Sequence, residues 1–84
     1  SLNLPEINIK SNEIKKGINF LDFLSKNKIM SSKSEARRAI ANKGLKVNDI
    51  LIIDENKTLL ANDFKKNVLK ISYGKKKHYL IKII

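Results

Sequence analysis

Cysteine is absent from the chain, which excludes disulfides and thiolate chemistry. A small domain without disulfides fits a reducing cytosol, so a cytoplasmic location is expected. Histidine occurs once, as His78, with no carboxylate close to it in sequence; a strand-surface residue is the better reading than a general base. One histidine and no cysteine leave no zinc-ligand cluster. The three glycines, Gly17, Gly44 and Gly74, lie far apart, so no glycine-rich phosphate loop is present. No apolar run approaches the ~20 residues of a membrane span, and no signal-peptide pattern is visible. The chain is therefore expected to carry no catalytic residue, metal or cofactor. Its 84 residues suffice for one domain with a modest core.

What is abundant is positive charge. Eighteen Lys and Arg against eight Asp and Glu give a net charge of +10, which points to a polyanionic partner. The cations are nearly all lysine, and Ile and Asn are also frequent, so A/T-rich coding contributes to the excess. Asp49, Asp54, Glu55 and Asp63 share one middle stretch, which leaves the flanking segments more basic than the average.

Residues 1–16 read as a linker or extended arm, with a short edge strand possible where Ile7 and Ile9 alternate with polar neighbours. Ser1 and the linker-like Leu4-Pro5-Glu6 raise the expectation of a longer parent chain. Gly17 opens the folded domain, residues 17–84. Asn19 caps a first helix to Lys28 whose apolar face is Phe20, Leu21, Phe23 and Leu24. Ser32-Lys33-Ser34-Glu35 matches a capping box and starts a second helix with Ala36, Ala39 and Ile40 buried. Gly44 ends it by adopting a left-handed conformation. From Leu45 the pattern is strand-like: Leu45–Asn48, a buried run Ile50–Ile53, a helical turn around Ala61–Phe64, then Val68–Tyr73 and His78–Ile84 joined by a hairpin at Gly74-Lys75-Lys76-Lys77. The expected fold is α+β, two helices packed on a small, mostly antiparallel sheet of three to five short strands.

The second helix carries the functional signal. Lys33 and Arg37 are four apart on one face, where like charges repel unless an anion lies between them. Arg38 can pair with Glu35. With the Ser32 and Ser34 hydroxyls, free backbone amides and the positive end of the helix dipole, these residues can form a phosphate cradle. A capped surface helix with solvated charges explains the same spacing equally well. Lys43, Lys46 and Asn48 follow directly and can extend the surface. Asn48 could read a base edge or ribose hydroxyl, or serve simply as a turn residue. Lys75, Lys76 and Lys77 make a second basic point, or a solvated tip. Tyr73 and Tyr79 flank it as strand packing residues.

Ser32-Lys33-Ser34-Glu35-Ala36-Arg37-Arg38-Ala39-Ile40, then Gly44, then Val47-Asn48, resembles the signature of the S-four-like RNA-binding domain. Leu4-Pro5, the Leu21-Asp22-Phe23-Leu24 run and the Gly74-Lys75-Lys76-Lys77-His78-Tyr79-Leu80 hairpin extend the likeness to the C-terminal domains of bacterial tyrosyl-tRNA synthetases, over nearly the whole chain. The chain departs from that pattern at Lys43-Gly44, where paired glycines are common, and at Asp49, where glycine is common. The resemblance implies a non-catalytic domain that grips the anticodon-arm and long variable-arm region of tyrosine tRNA. It also implies a separate catalytic domain on the same parent chain, itself a homodimer, with this domain monomeric in isolation.

Residues 28–34 are superficially similar to the lysine-methionine-serine loop of class I aminoacyl-tRNA synthetases. That loop acts on ATP beside a nucleotide-binding domain, and the helix cap accounts for the same serines. A stand-alone S-four-like protein, binding ribosomal RNA or the ribosome, is the main competing reading. A DNA-binding helix-turn-helix is disfavoured because strands follow Gly44 directly. A membrane-surface role is disfavoured because the basic residues do not collect on one amphipathic helix.

Overall fold

The computed structural model describes residues 4–84. The chain runs β1 (Glu6–Ile9), α1 (Ser11–Lys15), β2 (Ile18–Asn19), α2 (Phe20–Lys26), α3 (Lys33–Ala41), β3 (Leu45–Val47), β4 (Ile50–Leu51), β5 (Thr58–Leu59), a 3₁₀ turn (Ala61–Asp63), β6 (Val68–Tyr73) and β7 (Lys77–Ile83). Five strands form one sheet in the order β1-β7-β6-β3-β4, and β2 pairs with β5 in a separate two-stranded ribbon. All pairings are antiparallel except β1 with β7. The α+β architecture and mostly antiparallel sheet match the expectation from sequence.

Period-two alternation sends one side of each strand inward. Leu45, Leu69, Ile71 and Ile81 are fully buried, where they meet Phe20, Leu24, Met30 and Leu59. Ala36, Ala39 and Ile40 bring α3 into the same cluster. The opposite side of the sheet carries Lys46, Ser72 and His78 in one cross-strand row, with Lys70 and Leu80 in the next.

The helix ends differ in detail from their expected form. α2 stops at Lys26, not Lys28, because Lys28 turns left-handed with φ of 58°. The amides of Lys28 and Ile29 then donate back to Ser25 O and Leu24 O, a Schellman closure. That turn carries Ile29 and Met30 into the core. α3 closes the same way. Lys43 N donates to Ile40 O and Gly44 N to Ala39 O, and Lys43, not Gly44, takes the left-handed φ of 59°. Gly44 instead sits close to its neighbours: a Cβ there would lie 3.4 Å from Tyr73 Cε1 and 3.4 Å from Ala39 O.

Three further differences have physical causes. Residues 6–16, expected as linker or arm with a possible edge strand at Ile7 and Ile9, hold that strand as β1 and also α1, and Ile9 and Ile14 are buried in the common core. Two apolar residues suffice because β1 needs only to cover the open edge of β7; Glu6 adds an ion pair to Lys82 at 3.1 Å. Residues 1–3 of the expected arm lie outside the described residues. The run Ile50–Ile53 is not a buried strand: only Ile52 is buried, while Ile50 and Ile53 are 69% and 79% exposed. β4 leaves a two-residue turn at Asn48-Asp49, both with positive φ, so it is a short edge hairpin. The β2–β5 ribbon was not foreseen, because two-residue strands leave no periodic pattern. It forces Gly17 to a φ of +80°, where a Cβ would approach Thr58 Cγ2 to 2.8 Å.

Candidate nucleic-acid interface

The start of α3 is capped as its sequence dictates. Ser32 Oγ accepts the Glu35 amide at 3.1 Å. The reciprocal half of the box is redirected, since the Glu35 carboxylate accepts from the Ser31 hydroxyl and not from the Ser32 amide. Glu35 is thereby engaged away from Arg38, contrary to the expected pair. Among the described residues neither Arg37 nor Arg38 forms an ion pair, and both are exposed.

Lys33 does not stand with Arg37 alone. Its ammonium lies 2.6 Å from Asp22 Oδ1, linking α3 to α2 across a solvent-exposed gap. Such an exposed pair is worth ~0–1 kcal/mol, so Lys33 can exchange Asp22 for a stronger anion at small cost. Asp22 was not singled out in the sequence; only the packing of α2 on α3 brings it here. Ser34 is exposed on the first turn of α3.

The far end of α3 meets the β6–β7 hairpin. Gly74 N donates to Gly44 O at 3.0 Å, which joins the helix-closing turn to the hairpin tip. This one bond sets Lys43 beside the turn that carries Lys75, Lys76 and Lys77. Tyr73 completes the junction: it packs against Gly44, and the Lys77 ammonium lies over its ring at 6.0 Å from the centroid. The tyrosine is thus packing support for the tip, as the strand alternation implied.

Two predicted residues sit elsewhere. Lys46 alternates to the outer side of the sheet, in register with Leu51 and Ser72, whereas α3 packs on the inner side. Asn48 is committed to main chain. Its Nδ2 donates to Asp63 O at 2.8 Å, and its Oδ1 accepts from Lys70 N at 3.0 Å. It acts as the turn residue that was the alternative to base reading. Asp49, beside it, pairs with Lys70 Nζ at 2.8 Å. The hydrogen bond from Lys70 and then the Lys70 charge hold the Asp49 carboxyl below its ordinary value of 3.8; Lys46 and His78 act in the same direction.

An open cleft of about 630 Å³ lies between β1, α1 and α2. Its carboxylates, Glu13 and Asp22, serve the Lys10 amide and Lys33 respectively. Among the described residues no three His, Cys, Asp or Glu side chains are grouped to hold a metal ion. No helix among them is long and apolar enough to cross a membrane.

The sequence that builds this arrangement has known relatives. Residues 2–81 match the family described as the tyrosine–tRNA ligase SYY-like C-terminal domain. The chain belongs to that family. Among its relatives are the tyrosine–tRNA ligases of Gluconobacter oxydans, 42% identical over 94% of this chain, and of Bartonella quintana, 43% identical over 95%. That of Rhodopseudomonas palustris is 44% identical over 95%. The chain spans about one fifth of the length of these ligases: 19%, 19% and 20%.

Proposed function

We propose that this chain is the non-catalytic tRNA-binding domain of a tyrosine–tRNA ligase. In this reading it grips the anticodon-arm and long variable-arm region of tyrosine tRNA. The observation that carries the reading is the Gly74–Gly44 main-chain bond, which unites two basic segments into one surface. One segment is α3 with Ser32, Lys33, Ser34, Arg37, Arg38 and Lys43. The other is the tip Lys75, Lys76 and Lys77. Membership in a ligase C-terminal family supports tRNA as the polyanion, and the joined basic segments support this surface as its place.

The chemistry is phosphate recognition. Arg37 and Arg38 offer planar, bidentate donors, and the lysines act as point charges. A-form RNA presents backbone and ribose rather than readable major-groove edges, so shape and phosphate position dominate over base sequence. Tyrosine activation belongs to the remaining four fifths of the ligase, the catalytic part of the parent chain. The domain works as a monomer in the cytoplasm, with the parent's dimer contacts in its catalytic part.

The isolated chain should bind tyrosine tRNA while tyrosine-dependent ATP–pyrophosphate exchange stays at background. Exchange activity in the pure chain, or affinity no greater than for an unrelated RNA hairpin, would defeat this reading. A stand-alone ribosome-binding role is disfavoured by the ligase matches across nearly the whole chain.

A further inference from the structure

His78 has no part in the surface just described, yet both of its ring nitrogens are engaged. Nδ1 lies 3.2 Å from Ser72 Oγ, and Nε2 lies 3.1 Å from Lys75 O. The neutral ring protonated at Nε2 satisfies both partners: Nε2–H donates to the Lys75 carbonyl, and the Ser72 hydroxyl donates to Nδ1. Ser72 is 4% exposed, a buried polar side chain on the central strand β6. The imidazole is therefore anchored in the sheet at one end and holds the tip backbone at the other.

The carbonyl it holds belongs to the first of three consecutive lysines. Residues 64–84 contain no Asp or Glu to offset them, so the three ammonium groups repel one another on adjacent residues. The turn also begins at Gly74, with φ of +65° and open space around its Cβ position. A glycine-led turn bearing three like charges would relax into many shapes without a tether.

We propose that His78 is a positioning residue for tRNA, holding the Gly74–Lys77 turn in the one shape that presents its lysines to phosphates. This rests on the reading that the tip touches tRNA. The hook pre-pays the ordering of the tip that would otherwise be charged against binding.

The test measures binding of tyrosine tRNA by the 84-residue chain. His78→Ala should weaken binding about two- to tenfold, the cost of ordering one to two long side chains. His78→Gln, which keeps a donor for the carbonyl, should fall between. Amide exchange at the tip should quicken in His78→Ala, with melting followed separately. The deciding comparison is with Lys75→Ala/Lys76→Ala/Lys77→Ala: adding His78→Ala to that triple variant should cause no further loss, because the ring acts only through the lysines. A full, independent loss in the combined variant would overturn the inference, as would unchanged affinity in His78→Ala when the triple variant binds weakly. A triple variant that binds like wild type would instead overturn the placement of tRNA on the tip, and the inference with it.

Discussion

In the proposed reading, Lys43 is a residue at which stability and function pull in opposite directions. It closes α3 as the left-handed residue of a Schellman turn, with φ of 59°, and is exposed. An L-residue pays about 1–2 kcal/mol for that conformation. Glycine does not, but it returns about 0.4–1 kcal/mol through its freer unfolded chain. Lys43→Gly should therefore stabilise the domain by about 0.5–1 kcal/mol. For a domain of this size that raises Tm by about 2–8 °C. Its main chain is already where glycine would put it, so both Schellman bonds should survive.

The same substitution removes an ammonium beside the Lys75–Lys77 tip. Binding to tyrosine tRNA should weaken by about 1 kcal/mol, roughly fivefold. The slope of log affinity against log salt should fall by about 0.7–0.9, one phosphate contact. Lys43→Ala separates the two effects: it loses the charge but keeps a Cβ in the left-handed turn, so affinity should fall while Tm stays near wild type. Calorimetric melts and salt-dependent titrations of the three proteins decide the matter. A Lys43→Gly variant that melts at or below wild type would refute the backbone argument. One that melts higher but binds unchanged would remove Lys43 from the interface.

Other substitutions sort the interface from the scaffold. Arg37→Ala should lose about 1–3 kcal/mol of tRNA binding with little change in Tm, and Arg38→Ala a similar amount. Lys57→Ala, whose ammonium is tied to Asp63 at 3.7 Å, should change binding by only a few tenths in equilibrium titration. Asn48→Ala should behave oppositely, costing about 2–4 kcal/mol of stability in urea unfolding through two lost main-chain bonds and a strained φ, while the folded protein keeps its affinity. Asp49 gives a pH signature. Its folded carboxyl is held below the unfolded value, so its contribution is present at neutral pH and lost as pH falls through the folded value, below 3.8. The stability gap between wild type and Asp49→Asn should close over that acid range, and a gap that persists there would rule out the Lys70 pair as its source.

Local rules made the helices and the hairpins readable. Asn19 and Ser32 cap where their side chains allow: Asn19 Oδ1 takes the Asp22 amide at 2.9 Å, and Ser32 Oγ takes that of Glu35. The β6–β7 hairpin follows from alternation on both sides of Gly74. What escaped depends on partners distant in sequence. The alternation of Ile7 and Ile9 allows the edge strand β1, but not its partner: the open edge of β7 lies more than seventy residues later (Glu6 beside Leu80, Ile9 beside Ile83). Lys33 finds Asp22, and Asn48 finds Asp63 and Lys70, only once the helices and strands have packed. The misread run Ile50–Ile53 has a simpler cause. Four apolar residues in a row cannot all face inward on a two-residue edge strand, and the run offers no period to say which one does.

The net charge of +10 is therefore not spread evenly over the fold. On the outer side of the sheet, Lys70 and Lys82 meet their own carboxylates, Asp49 and Glu6. On α3 only Lys33 has such a partner, Asp22; Arg37, Arg38 and Lys43, and the tip lysines Lys75, Lys76 and Lys77, form no ion pair among the described residues. Lys46 is turned outward by strand alternation, close enough to lower the Asp49 carboxyl. The hairpin that carries the tip lysines is joined to the end of α3 by the Gly74–Gly44 main-chain bond. Cations of the same type thus differ in their partners: Lys33, Lys57, Lys70 and Lys82 each meet a carboxylate, and those of the α3 end and the tip do not. Exposed like charges without acids self-repel, which costs stability that a neutral surface would not. In the proposed reading, an RNA backbone docked along α3 and the tip would relieve that repulsion at the moment of binding. Diffuse charge at the same total would give salt-dependent attraction but no preferred orientation; a fixed, one-sided array gives both.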